Sequence, residues 1–150
     1  KINDYKLIFV GPFDKRHTSS LLKLIDKHNI RHLCVWKGWI DDDEKLSLLN
    51  ECHALIIASL WEGFGLPALE AMACGTPVIA SDRGALREVM GNYGYFINPF
   101  NIQSIACAMK AVINDKKCFE KALQEGPSRA ESFNWLDTAR TIEKIIQEID

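Results

Sequence analysis

The sequence predicts an α/β fold of the doubly wound, Rossmann-like kind, a parallel sheet with helices on both faces. Three observations point to it. Short apolar, β-rich runs recur from residue 6 to residue 99. Helical patterns separate them, as a sheet of parallel strands requires. The runs are nearly continuous in apolar residues, the mark of strands covered on both faces.

Taken in order, "KLIFVG" (6–11) reads as a buried strand ending at Gly-Pro. "SSLLKLIDKHN" (19–29) sets Leu21, Leu22, Ile25 and His28 on one helical face. "HLCVWKGW" (32–39) is a second strand. "DDDEKLSLLNEC" (41–52) opens with an acidic turn that favours the helix dipole, and its Leu46, Leu49 and Cys52 face inward. "ALIIAS" (54–59) is a wholly apolar strand. "LPALEAMACG" (66–75) is a short helix with proline at its start and glycine just past its end. "PVIAS" (77–81) is a strand, "GALREVMG" (84–91) a helical turn between glycines, and "GYFINP" (94–99) the last strand. From Ile102 the pattern is helical, with a break expected at "EGPS" (125–128). "NWLDTARTIEKIIQEI" (134–149) begins at an asparagine cap and carries an apolar stripe of Trp135, Ala139, Ile142, Ile145, Ile146 and Ile149.

The 150 residues suffice for one domain, 1–150, with a real core. Apolar residues make up 47% and charged residues 25%, as in ordinary soluble proteins. The net charge of −2 offers no field to hold nucleic acid or an anionic membrane. No apolar run reaches the length of a membrane span, and "KINDYKLIFV" has no signal-peptide layout. The cysteines Cys34, Cys52, Cys74, Cys107 and Cys118 are odd in number and form no CxxC pair, which fits a reducing, cytoplasmic setting. His17, His28, His32 and His53 show no ligand spacing, so no metal is expected.

The stretch "WEGFGLPALEAMACGTPVIAS" (61–81) is where chemistry is expected. It follows the strand "ALIIAS", and doubly wound sheets bind ligands beyond the carboxyl ends of their strands. Gly63 and Gly65 let backbone approach a ligand, and Phe64 lies between them. Pro67 sets the first helical turn, leaving the amides of Leu66, Ala68 and Leu69 at the helix start, an arrangement suited to phosphate. On that signal alone a plain strand-to-helix turn is the simpler reading. Glu62 and Glu70 flank the loop, however. Carboxylates beside an anion pocket make sense if they accept from ribose or sugar hydroxyls while the amides take a diphosphate. The competing readings are a solvated loop acid for Glu62 and a first-turn acid stabilising its own helix for Glu70.

Residues 62–70, Glu-Gly-Phe-Gly-Leu-Pro-Ala-Leu-Glu, resemble the EX7E motif of retaining GT-B glycosyltransferases of the glycosyl transferases group 1, family four, type. The resemblance continues through "AMACGTPVIAS" (71–81) and "GALREVMGNYGYFINP" (84–99), back through "GWIDDDEKLSLLNECHALIIAS" (38–59), and to "SFNWLDTA" (132–139). It implies the donor-binding, C-terminal half of a two-domain GT-B enzyme of polysaccharide biosynthesis. Glu62 would contact the transferred sugar and the reaction centre; Gly63, Phe64, Gly65, Leu66 and Pro67 would line the donor site; Glu70 would hold the ribose. The resemblance further implies a UDP-, GDP- or ADP-sugar donor, retention at the anomeric carbon, no cofactor and no bound metal. A front-face substitution, not a covalent Glu62 intermediate, is the mechanism it brings.

The family's donor half opens with a strand ending in Gly-Arg and a nearby lysine that hold the diphosphate. No such segment is found, and "KLIFVG" resembles the family's second strand, so the first strand of the half is expected to be missing. Lys15 and Arg16 read either as stand-ins for those cations or as solvated loop charges. The acceptor-binding N-terminal domain is likewise expected in a longer parent chain, through which any peripheral membrane contact would come, and the piece alone is expected to be inactive. Its last helix is expected to expose an apolar stripe and favour self-association. Asp82, Arg83 and Trp61 are further candidates to touch ligand; Glu88 matches a position of the family, and reads equally as capping a helix or bracing a loop. Two other functions keep the same fold: a non-catalytic binding or scaffolding domain, and a sugar-nucleotide epimerase or a phosphorylase.

Overall fold

The structure, a computed structural model, describes residues 4–149 apart from the side chains of Lys15 and His17. The cation considered at Lys15 therefore lies outside the described residues. The chain is α/β, with parallel sheets flanked by helices, and divides into two compact units, Lys1–Lys45 and Leu46–Asp150.

In the first unit, β1 (Leu7–Phe9) pairs in parallel with β2 (Cys34–Trp36), Leu7 opposite Cys34 and Phe9 opposite Trp36. Helix α1 (Lys15–Lys27) joins them and begins four residues before the apolar pattern does. The Asp14 side chain caps it by accepting from the Arg16 amide at 2.9 Å. Arg16 turns back on the same carboxylate, Nη2 to Oδ2 at 2.8 Å, so this exposed cation is committed to the cap. Thr18 and Ile25, seven residues apart, are buried on one face of α1. His28 ends up exposed, because the helix stops at Lys27 and the chain turns at Asn29, whose φ is +54°. Trp36 stacks on Phe9 with centroids 5.0 Å apart and meets Phe13 edge-on at 5.8 Å. Its indole N–H is buried and has no hydrogen-bond partner among the described residues.

The second unit holds β3 (Leu55–Ile57), α3 (Leu66–Ala73), β4 (Val78–Ser81), α4 (Leu86–Met90), β5 (Tyr95–Ile97), α5 (Ile102–Asn114), α6 (Lys116–Glu131) and α7 (Trp135–Gln147). Helix α2 (Asp42–Glu51), with Asp41 Oδ1 capping the Glu44 amide, contains the boundary between the units. Leu49 is buried in it, whereas Leu46, expected inward, is exposed and Cys52 half-buried. The three strands are parallel in the order β3-β4-β5. Central β4 is buried along its whole length. Met72, Ile79, Leu86 and Met90 are essentially inaccessible, and each such side chain stabilises the fold by about 1.5–3 kcal/mol.

Helix α6 runs unbroken through Gly126 and Pro127, where the sequence pattern predicts a break. An interior proline costs about 3 kcal/mol, so tertiary packing outweighs it here. Ala122, Gly126 and Ala130, spaced by four, are buried, and α6 packs against α3. A β-carbon on Gly126 would lie 2.5 Å from the Met72 carbonyl oxygen. Only a stripe of small residues permits that approach. Helix α7 buries none of its residues among those described; Trp135, Ile142, Ile145 and Ile146 of its apolar stripe are all exposed.

Tyr93 and Tyr95 flank the start of β5. Burial pushes the Tyr93 phenol well up. Burial, then the hydrogen bond with Cys118 and the nearby Asp115 carboxylate, push Tyr95 up to about 12. In the folded chain both stay neutral after an unfolded tyrosine has ionised near pH 10. The unfolded state then holds fewer protons, so stability is full below about pH 10 and falls as pH rises toward 12. Melting temperature measured from pH 8 to pH 12 is expected to drop through that window, and Tyr95→Phe is expected to lessen the drop.

Candidate functional site

Because β3, β4 and β5 are parallel, their carboxyl ends lie at one end of the sheet, and the loops that follow them meet there. Three hydrogen bonds tie those loops together. The Ser81 hydroxyl donates to the Ser59 carbonyl at 2.5 Å, the Ala85 amide to the Glu62 carbonyl at 3.2 Å, and the Asp82 amide to the Ile97 carbonyl at 2.9 Å.

Glu62 is half-buried in this junction. Its Oε1 accepts from the Ser59 hydroxyl at 2.7 Å, while Oε2 has no protein partner among the described residues. The loop carrying Glu62 lies so close to the loop after β4 that a β-carbon on Gly84 would sit 2.7 Å from the Glu62 carbonyl oxygen.

Gly65 starts α3 in the left-handed region, at φ 96°, and is buried against Leu86. Its carbonyl accepts from the amides of Ala68 at 2.9 Å and Leu69 at 3.3 Å. This corrects the amide set expected at the helix start, since two of its three members are taken by Gly65 itself. The available amides run back from Leu66, the one member left, to Gly63. Among the described residues, the N–H groups of Gly63, Phe64, Gly65 and Leu66 make no hydrogen bond to protein. Four successive amides without partners, next to a left-handed residue, concentrate positive dipole in the manner of an anion-binding nest. Pro67, at the second helical position, is exposed and contributes no N–H of its own.

The Phe64 ring, still 42% exposed, is turned edge-on onto Phe133 at 5.8 Å, a contact that anchors the loop. Leu66 is exposed. Glu70 is the fifth residue of α3, one turn further in than the first turn, which contains no acid. It is half-buried and engaged in an interaction of its own. Burial, and then the Glu70 carboxylate, push the Cys74 thiol up. Glu70 is thus on the helix that begins at the loop, whereas Glu62 is in the loop itself.

The remaining candidates are bound up in local structure to differing degrees. Asp82 pairs with Arg87 through both oxygens, at 2.9 and 3.1 Å, and Arg87 lies over Phe96. Arg83 rests over Phe100 with its guanidinium 5.0 Å from the ring centre. Glu88 serves through its carbonyl, which accepts from Arg129 at 2.5 Å. Trp61, beside Glu62, is 79% exposed. Sequence reasoning missed Ser59, Ser81, Gly84 and Phe133. The signal for the serines was a polar residue at the carboxyl end of each of two apolar strands.

A cavity of about 290 Å³ lined by Tyr93, Tyr95, Asp115, Lys117, Cys118 and Lys121 lies at the amino ends of β4 and β5, the opposite end of the sheet from Glu62. Among the described residues no three His, Cys, Asp or Glu side chains converge as metal ligands would, and no helix is long and apolar enough to cross a membrane.

Residues 1–129 match the family model described as glycosyl transferases group 1. The chain is 32% identical over 136 residues to a serotype-specific mannosyltransferase, WbdA, of Escherichia coli, covering 90% of this chain and 17% of that protein. It is 34% identical over 121 residues to an MMP alpha-(1->4)-mannosyltransferase of Mycolicibacterium hassiacum, covering 78% and 29%. Among solved structures, sucrose-phosphate synthase from Thermosynechococcus elongatus superposes with a TM-score of 0.83 at 26% identity, over 96% of this chain and 38% of that one. Anabaena HepE in complex with UDP and glucose superposes with a TM-score of 0.85 at 22% identity, over 95% and 40%. The chain thus spans well under half the length of these proteins.

Proposed function

The chain belongs to the glycosyl transferases group 1 family, and on that premise we propose that it is the donor-binding part of an enzyme that transfers a sugar from a nucleoside diphosphate. The observation that carries this reading is the run of free amides from Gly63 to Leu66 beside the held carboxylate of Glu62. The amides take the diphosphate, whose charge grows as the sugar leaves, in the way an oxyanion hole serves acyl transfer. Glu62 Oε2 accepts from a hydroxyl of the transferred sugar, and Glu70 serves the ribose. Support comes from the mannosyltransferases among the relatives and from HepE, whose structures hold UDP or UDP-glucose. The EX7E spacing of Glu62 and Glu70 and retention at the anomeric carbon are part of the same proposal. So is a longer polypeptide in which residues 1–150 form one donor domain joined to an acceptor-binding half.

Isothermal titration with UDP, GDP and ADP tests it. One of the three is expected to bind, and Gly65→Ala is expected to weaken that binding at least about tenfold, the loss of roughly one charge-assisted hydrogen bond. A methyl there would meet Leu86 at 2.7 Å in a backbone conformation alanine resists, so a melting curve must accompany the titration. Absence of heat with all three, for this chain and for the longer polypeptide alike, would remove the donor site.

A further inference from the structure

The hydrogen bonds around Glu62 run as a chain from the interior of the sheet to its carboxylate. Ser81, the last residue of β4, is fully buried, and a buried hydroxyl needs a partner. It donates to the Ser59 carbonyl, two residues past the end of β3. That bond extends the β3–β4 connection beyond the point where strand pairing stops, between Ile57 and Ala80. The Ser59 hydroxyl in turn donates to Glu62 Oε1 at 2.7 Å. The main chain of Glu62 is fixed separately, through the Ala85 amide and the close passage of Gly84.

A glutamate has three rotatable side-chain bonds, and one held only by its backbone samples many positions. Here one carboxylate oxygen is occupied from within the protein and the other is left open. We propose that Ser59 is a positioning residue for Glu62, and that Ser81 fixes Ser59, so that the pair decides which carboxylate oxygen meets the donor sugar. The inference rests on the reading of Glu62 as the group that contacts that sugar. Misplacing a reacting or binding group by about 1 Å costs up to a hundredfold in rate. Losing one of the two restraints on Glu62 is therefore expected to lower kcat about tenfold. The amides from Gly63 to Leu66 do not depend on the Ser59 hydroxyl, so affinity for the nucleoside diphosphate is expected to stay within about twofold of wild type, within the scatter of a surface substitution.

The test is sugar transfer by the complete polypeptide, with kcat and donor KM measured for S59A, S59C, S59T, E62A and S59A/E62A, and affinity for whichever of UDP, GDP and ADP binds measured by titration for each. S59A is expected to lose about tenfold in kcat with diphosphate affinity kept, and S59T, which retains the hydroxyl, to recover most of the loss. S59C, nearly isosteric with a weaker donor, is expected to fall between, and stands in for S59A should that variant not fold. The double variant is expected to match E62A, because without a side-chain oxygen at position 62 there is nothing left for Ser59 to hold. Losses that multiply in the double variant, a kcat for S59A equal to wild type, or a fall in diphosphate affinity as large as the fall in kcat would each overturn the role of Ser59. The first two leave Glu62 in place as the sugar contact if E62A itself is slow. An E62A enzyme as fast as wild type would instead overturn the assignment of Glu62, and with it the positioning role.

Discussion

Glu62→Ala, made in the complete polypeptide, is expected to lower sugar transfer by about 100- to 1000-fold while nucleoside diphosphate affinity changes little. The size follows from removing one preorganised charged group at the reacting centre, which typically costs about 2.7–4 kcal/mol of transition-state stabilisation. The selectivity follows from the geometry. The diphosphate is assigned to the main-chain amides of Gly63 to Leu66, and these stay in place when a side chain beside them is shortened. A loss confined to donor KM would mean that Glu62 only holds the ground state. Unchanged transfer would favour a binding or scaffolding role for the chain, since a scaffold has no use for this carboxylate. Steady-state kinetics with a labelled donor, paired with calorimetry of the free diphosphate, separate the three outcomes.

Gly94→Ala is expected to destabilise the second unit by about 3–5 kcal/mol, among the largest effects a single methyl produces. Gly94 stands just before β5 with φ +71°, where an alanine is strained whatever the space. The space is also missing. The added carbon would fall 2.2 Å from the Val78 carbonyl oxygen and 2.9 Å from the Met90 terminal methyl. Val78 begins the central strand, buried throughout and paired on both sides, so its backbone cannot retreat. The expected fall in melting temperature is about 10 °C for a domain of this size. Gly63→Ala is the contrast: it lies outside the left-handed region, and nothing comes within 4 Å of its added carbon. Its effect on stability is expected within about 0.5 kcal/mol. Equal melting temperatures for the two variants would contradict the packing described around β4.

The parallel strands, the helices between them and the loop after β3 were all legible in the sequence. They depend on local signals: apolar runs, Pro67 at a helix start, Gly75 just past its end. Three features were not. The continuity of α6 through Gly126 and Pro127 reverses what the local residues prefer, because burial of Ala122, Gly126 and Ala130 decides the matter. Their spacing of four was the available clue. The set of amides at the loop lies ahead of the helix, from Gly63 to Leu66, because the left-handed turn at Gly65 sends its carbonyl into the helix, where it takes up Ala68 and Leu69. Which carbonyl captures which amide depends on the dihedral angles of one glycine, and residue types do not encode them at that precision. The partners of Glu62 were equally out of reach. Ser81 reaches Ser59 only because β3 and β4 are neighbours in the register that sets Ile57 opposite Ala80.

The contact between Phe64 and Phe133 carries a consequence for the order in which this protein matures. Phe133 sits beyond the end of α6, under the Arg129 guanidinium that also ties down the carbonyls of Val89 and Glu88. A ribosome releases Phe64 some seventy residues before Phe133, several seconds at ordinary elongation speeds. During that interval the loop has its glycines and its glutamate but not the aromatic brace beneath it. Substrate recognition is therefore expected to mature late in translation, and a nascent chain halted before residue 133 should bind nucleotide more weakly than one halted after it.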